Sequence, residues 1–225
     1  RPPPPPPPPR LNCRRQRQMC IRDRGVAIPS QRKSFGDDWI RHSIGGLEWA
    51  AFHSAFFQSH PGLTARLLQE LKEISGGHRG RRIIDLYCGV GLLSLSLASP
   101  HTAILGNDNP AKAIDSAAHN ATVLGLTGAR FLRSSLESFL GSLDIGPQDL
   151  VLLDPPRSGC PAGIVFAIAD LAPREICLVS CNPLTHFRDL AVWWESGYTL
   201  CRISALDMFP FTGFLETVAL LEKQD

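Results

Sequence analysis

From Arg81 onward the apolar residues fall in short runs, and each run closes on a polar or glycine-rich turn. RRIIDLY (81–87), AILGND (103–108), ARFLR (129–133), DLVLLD (149–154) and EICLVS (175–180) read as strands, because brief stretches rich in Ile, Leu and Val suit a sheet covered on both faces. The intervening residues 92–98, 111–124, 136–143, 162–171 and 185–195 read as helices that serve as right-handed crossovers, and 63–74 adds a helix before the first strand. This alternation predicts a parallel α/β sheet.

After the fifth strand the pattern changes. YTLCRISALDMF (198–209) and FLETVALLE (214–222) are separated only by Pro210 to Gly213, too short a link for a crossover helix, so they are predicted to form an antiparallel C-terminal hairpin. The expectation is thus a seven-stranded, mostly parallel sheet, distinct from an ordinary dinucleotide-binding fold. Upstream, residues 25–60 hold Phe35, Trp39, Trp49, Phe52, Phe56 and Phe57. They are expected to be the irregular remnant of a preceding module, with 61–225 as the main domain.

Composition narrows the partners. The chain has 225 residues, 44% hydrophobic and 20% charged, enough for one globular domain with its own core. Its net charge of +2 is misleading: residues 1–24 carry seven arginines against Asp23, a net of +6, which leaves −4 for the rest. The body therefore lacks the positive balance that by itself points to nucleic acid. The same leading segment contains Pro2 to Pro9 and no apolar periodicity, so it is expected to be disordered: a polyproline ligand, a basic RNA-binding arm or a tail foreign to the domain. The break near Gly25 resembles translated read-through, with the native N-terminus outside this sequence. The chain lacks the roughly 20 uninterrupted apolar residues of a membrane helix, and Cys88, Cys160, Cys177, Cys181 and Cys201 have no Cys-x-x-Cys spacing. A cytoplasmic, monomeric protein with reduced thiols and no metal centre is expected.

Three turns at strand ends carry candidate chemistry. Asp85-Leu-Tyr-Cys-Gly89-Val-Gly91 opens a helix, where the glycines allow close backbone approach of a ligand, and Asp108 closes the next strand, where a carboxylate can bond both hydroxyls of a ribose. The turn lacks the third glycine of the dinucleotide fingerprint, so S-adenosylmethionine (SAM), which has a ribose but no phosphate, fits it better than a pyrophosphate. A tight turn serving only helix–strand packing is the plain alternative. Asp154-Pro155-Pro156-Arg157 ends the fourth strand; its prolines stiffen a loop able to position a substrate base, or else Asp154 merely caps local N–H groups. Cys181, in Ser180-Cys-Asn-Pro183, stands at a strand end beside a helix start, whose partial positive charge is expected to lower its pKa. Glu216 lies in the last apolar run and either points to solvent by alternation or sits in a desolvated place that raises its pKa.

Taken together and in this order, DLYCGVG, LDPPRSG, VSCNP and DMFPFTGFLETVALL resemble the RNA uridine C5-methyltransferase family, which makes 5-methyluridine in tRNA and ribosomal RNA. The similarity covers roughly residues 52–223, and Phe56-Phe57-Gln58 is similar to the family's FFQ motif. The resemblance implies a class I SAM-dependent methyltransferase fold, with SAM held by Gln58, Asp85, the Gly89–Gly91 turn, Asp108 and Asp154. It further implies Cys181 as nucleophile, Glu216 as base, and an RNA partner whose flipped uridine is held by Arg157 or by neighbouring aromatics. The chain departs from the family at Phe214, where a histidine is usual, and at Ser134-Ser135, where an aspartate near the adenine is usual. An N-methyltransferase of the same fold and an inactive SAM-binding fragment are the alternatives.

Overall fold

Strand β3 (Ile83–Leu86) and strand β6 (Leu150–Leu153) are buried along their whole length, as runs without a polar alternate residue must be. They pair in parallel at the centre of the sheet. The computed structural model describes residues 37–58, 60–76 and 82–224. The expected tail over 1–24 lies outside the described residues, as does Arg81, the first residue of the first predicted strand.

Five parallel strands, β3, β4 (Ile104–Asp108), β5 (Ala129–Arg133), β6 and β7 (Glu175–Ser180), are joined by helices as the apolar pattern predicted. They continue into two antiparallel strands, β8 (Tyr198–Leu206) and β9 (Glu216–Lys223), and the order across the sheet is β5-β4-β3-β6-β7-β9-β8. The final strand therefore inserts between β7 and β8 and bonds to both. Helices α4 (Leu136–Leu140), α5 (Ala162–Asp170) and α6 (Pro183–Glu195) cover one face, where Phe139, Val165, Ile168 and Trp193 pack on Ile84, Val151 and Ile176. On the other face α1 (Pro61–Ser75) packs on β8, β9 and α2 (Leu92–Leu97), and α2 meets α3 (Ala111–Val123). Burying Leu67, Leu71 and their neighbours along α1 removes on the order of 2 kcal/mol of apolar exposure per large side chain.

The helix starts are chemically marked. Pro61 opens α1 behind His60, whose Nδ1 accepts from the Leu63 N–H at 3.1 Å; Pro183 opens α6 behind Asn182, whose side chain accepts from Leu184 N–H at 3.2 Å.

One expectation is corrected. Residues 39–52 are not irregular: β1 (Trp39–Ile44) and β2 (Leu47–Phe52) form an antiparallel hairpin across Gly45-Gly46, both of positive φ. Two such residues suit the tight turn whose twist matches paired strands. The hairpin belongs to the same compact unit as the sheet, Asp37–Asp225. The Ala50 and Phe52 N–H groups donate to Asn120 Oδ1 (2.9 Å) and Ser116 Oγ (3.1 Å) on α3, and Asn120 Nδ2 donates to Val90 O at 3.0 Å. Asn120 thus ties the hairpin to the glycine turn.

Candidate active site

The carboxyl ends of β3, β4, β6 and β7 bring their turns to one edge of the sheet, where ligands of open α/β folds sit. At β3 the chain leaves Asp85 through Tyr87, Gly89 and Gly91, all with φ between 54° and 77°. Gly91 caps α2, and a Cβ there would stand 2.8 Å from Leu95 Cδ1, 3.1 Å from Phe131 Cζ and 3.3 Å from Ala117 Cβ. A Cβ at Gly89 would meet nothing within 4 Å. Gly91→Ala is therefore expected to lower the unfolding free energy by about 1–3 kcal/mol, and Gly89→Ala by about 1 kcal/mol from φ alone, measured as denaturant midpoints.

Three carboxylates face this turn. Asp85 is 1% exposed; its Oδ2 accepts from Ser94 Oγ, while Oδ1 is buried without a partner among the described residues. Burial pushes its pKa up to about 7 against the pull of the Ser94 hydrogen bond, and Asp108 adds repulsion. Asp108 Oδ2 accepts from Gly89 N–H at 2.8 Å and Oδ1 from Asn109 N–H at 2.7 Å; desolvation nevertheless raises its pKa. Asp154, which follows β6, is raised well above the carboxylate range by burial, then by Glu216, Asp85 and Asp108. Carboxyl groups whose pKa values are raised by crowding and burial favour a cation, which draws them back to the ionised form, and hydroxyl donors, and they disfavour a phosphate. Gln58 is buried in the segment joining β2 to α1, and no hydrogen bond links it to these carboxylates among the described residues.

The register of the last strands brings Cys181 and Glu216 together. Ser180 of β7 pairs with Thr217 of β9, so Cys181 and Glu216 occupy the next opposed positions, one step beyond that pair. Glu216 is also paired with Leu206 of β8, is 1% exposed, and keeps a buried, unpartnered Oε2. Alternation toward solvent is thereby excluded. Burial raises its pKa to about 7, with Arg157 pulling it down.

The expected lowering of the Cys181 pKa is corrected. Burial first, then the charges of Glu216 and Asp154, push the thiol up to about 11, outweighing a hydrogen bond and charge from Arg157. Among the described residues Arg157 is the cation set against this acidic group, with its guanidinium 4.3 Å from the Phe214 ring centroid and 5.9 Å from that of Phe209. Its carbonyl accepts from Asn182 Nδ2 (3.2 Å) and Thr185 Oγ1 (3.1 Å), which fastens the Pro155-Pro156 loop to the start of α6. Phe214 therefore holds Arg157 beside the carboxylates. The serines at the other departure are already occupied: Ser134 Oγ accepts from Asn107 Nδ2 at 2.7 Å, and Ser135 Oγ caps α4 through Ser138 N–H.

Sequence reasoning missed His186. It is 1% exposed, and its Nδ1 lies 2.5 Å from Thr217 Oγ1, which itself donates to Ser180 O at 2.9 Å. The threonine has one proton and spends it on Ser180, so His186 Nδ1 carries the other. Burial pushes the imidazole pKa down to about 4, which keeps it neutral. This chain of bonds locks together the residues that flank Cys181 and Glu216, and the separation of 31 positions between His186 and Thr217 leaves no local signal for it.

The sheet order and the carboxylates at adjacent strand ends define a SAM-dependent methyltransferase fold. Magnesium protoporphyrin IX methyltransferase from Synechocystis PCC 6803, solved with bound SAM, shares that fold at 17% identity and a TM-score of 0.56, over 72% of this chain and 78% of that one. The chain belongs to the tRNA (uracil-5-)-methyltransferase family, whose model matches residues 45–224. An uncharacterized RNA methyltransferase of Caldanaerobacter subterraneus subsp. tengcongensis is 33% identical over 84% of this chain and 42% of its own length. One from Gloeobacter violaceus is 34% identical over 89% and 44%. The tRNA (uracil-54, C5)-methyltransferase of Pyrococcus abyssi, solved with S-adenosyl-L-homocysteine, matches with a TM-score of 0.71 at 30% identity, over 83% of this chain and 45% of that one. The chain thus spans less than half the length of these RNA-methyltransferase relatives.

Proposed function

We propose that this chain is the catalytic part of an enzyme that methylates C5 of a uridine in tRNA or ribosomal RNA. The observation that carries the proposal is the opposition of Cys181 and Glu216 across β7 and β9, beside three carboxylates at neighbouring strand ends. The unpartnered Asp85 Oδ1 and the raised pKa values around it fit a cofactor with cationic groups and ribose hydroxyls, and SAM has both. Asp85 and Asp154 would hold its charged end, Asp108 its ribose, and the Gly89–Gly91 turn and Gln58 the remainder. When bound, SAM supplies an electrophilic methyl group to C5 of the base.

Uracil C5 is a weak carbon nucleophile, which is why a thiolate is needed. The Cys181 sulfur adds to C6, and the C5–C6 electron pair moves onto the ring carbonyl as an enolate that makes C5 nucleophilic. Once C5 carries the methyl group, Glu216 removes the C5 proton. The C–H pair restores the double bond and expels the Cys181 thiolate, and Glu216 passes the proton it took to water, which returns the base to its starting state. Arg157 stabilises the anionic sulfur and enolate. The target base must leave its stack to reach this edge, as substrates of base-modifying enzymes do.

RNA containing 5-fluorouridine tests the reading, because fluorine at C5 blocks proton removal. With SAM present, a covalent protein–RNA adduct is expected, and peptide mass mapping should place it on Cys181. An adduct on any other residue, or the same yield with Cys181→Ala, sinks the assignment.

A further inference from the structure

We propose that Phe211 is a base-stacking residue that grips an unpaired nucleobase of the RNA beside the target uridine; the inference deepens the function proposed above. The turn Phe209-Pro210-Phe211-Thr212 is closed by Thr212 N–H donating to Phe209 O at 3.1 Å. Phe211 has φ 65°. Proline at the second position and a left-handed third position make a type II turn, whose third position favours glycine. A bulky aromatic there is strained, yet the residue is fully exposed, at 107% of the reference, so burial against the described residues does not repay the strain.

The rest of the turn is built to hold that ring out. Thr212 Oγ1 donates to Phe209 O at 2.6 Å and accepts from Phe214 N–H at 3.2 Å. Phe209 is buried, its ring meets Phe214 edge to face with centroids 6.5 Å apart, and Arg157 lies over Phe214. Phe214, bonded to the turn through Thr212, lies two residues before Glu216, and both Phe209 and Phe214 lie against Arg157, which acts on Cys181 and Glu216; the turn that carries Phe211 is therefore fastened beside the candidate site. Leu184 and Phe187, on the first turns of α6 after Cys181, are exposed as well, at 82% and 62%.

A nucleobase is the occupant this arrangement favours. The body outside residues 1–24 carries a net charge of −4, so phosphate attraction contributes little affinity. A single rigid ring offers one flat face, enough for a base but far short of a stable protein interface. Stacking supplies binding that does not depend on charge.

The test uses the full 225-residue chain and a fluorescently labelled, single-stranded, uridine-containing RNA oligonucleotide. Salt is held near the top of the range where binding is measurable, which suppresses the arginines of residues 1–24. Phe211→Gly is expected to weaken binding by about 5- to 150-fold, the range for loss of one stacked base. Its Tm is expected to hold or rise, because glycine relieves the φ strain and no packing is lost. Phe211→Trp should retain wild-type affinity. Binding of Phe211→Gly equal to wild type overturns the proposal, as does a wild-type chain that binds no RNA. Full affinity in Phe211→Leu does so too and assigns the ring to an apolar protein partner. The fluorouridine adduct separates the two readings: adduct formation with no effect of Phe211→Gly defeats stacking alone, whereas loss of affinity in Phe211→Gly without any wild-type adduct defeats the methylation chemistry alone.

Discussion

Cys181→Ala is expected to lose uridine methylation by at least about 10³-fold while binding SAM within a factor of about two of wild type. The sulfur makes the one bond that turns C5 into a nucleophile, so nothing else in the site substitutes for it. The carboxylates proposed to hold SAM come from β3, β4 and β6, and none relies on the thiol. Calorimetry with SAM and transfer of labelled methyl to RNA read the two effects separately. Retained turnover would instead make Cys181 structural and move the chemistry to the Asp154–Arg157 loop, as in an N-methyltransferase. The wild type adds a signature of its own. Glu216 near 7 and a thiol near 11 must both lose protons, so kcat/KM is expected to climb from pH 6 through pH 9. A profile flat across that interval would contradict ionisation of either group in the rate-limiting step.

The second large effect is that of Glu216→Gln. Without a proton acceptor the methylated adduct cannot eliminate, so turnover is expected to fall by about 10²- to 10⁴-fold while protein–RNA adduct accumulates on ordinary, fluorine-free RNA. The same change should stabilise the protein, and the sign follows from linkage. Glu216 titrates near 4.5 when unfolded and near 7 in the fold, so over that interval the folded state binds more protons and burying the charge costs stability as pH rises. Glutamine removes that cost. The gain in Tm should be absent below about pH 4.5, grow through the interval and level off above about pH 7. A gain independent of pH, or a loss at pH 8, would mean that burial of the carboxylate, with its unpartnered Oε2, is not what raises its pKa.

The parallel half of the sheet was legible because β3, β6 and β7 are apolar on both faces and end on glycine, proline or asparagine. The hairpin β8–β9 was legible because the four residues Pro210 to Gly213 between the two runs leave no room for a crossover; the strands themselves end sooner and leave nine residues, 207–215, between them. The hairpin at Trp39–Phe52 was missed although its signal is present: two six-residue runs flank Gly45-Gly46, masked by aromatics scattered on both faces. Cys181 and Glu216 were recognisable as candidates, and the desolvated one of the two readings for Glu216 is the one found, but the electrostatics of Cys181 were not legible. The start of α6 is visible in Asn182-Pro183, whereas the burial and the charges of Glu216 and Asp154 that reverse its effect arise only from strand order. His186 was invisible for the same reason, since its partner is supplied by a strand that follows much later and inserts beside β7.

That insertion sets a condition on assembly. β9 follows both of its neighbours in the chain, so until it docks β7 has one edge bare and β8 has no strand to bond. A folding intermediate without β9 in place carries an apolar border of the kind that invites aggregation. The reactive pair is born in the same instant that this border is sealed.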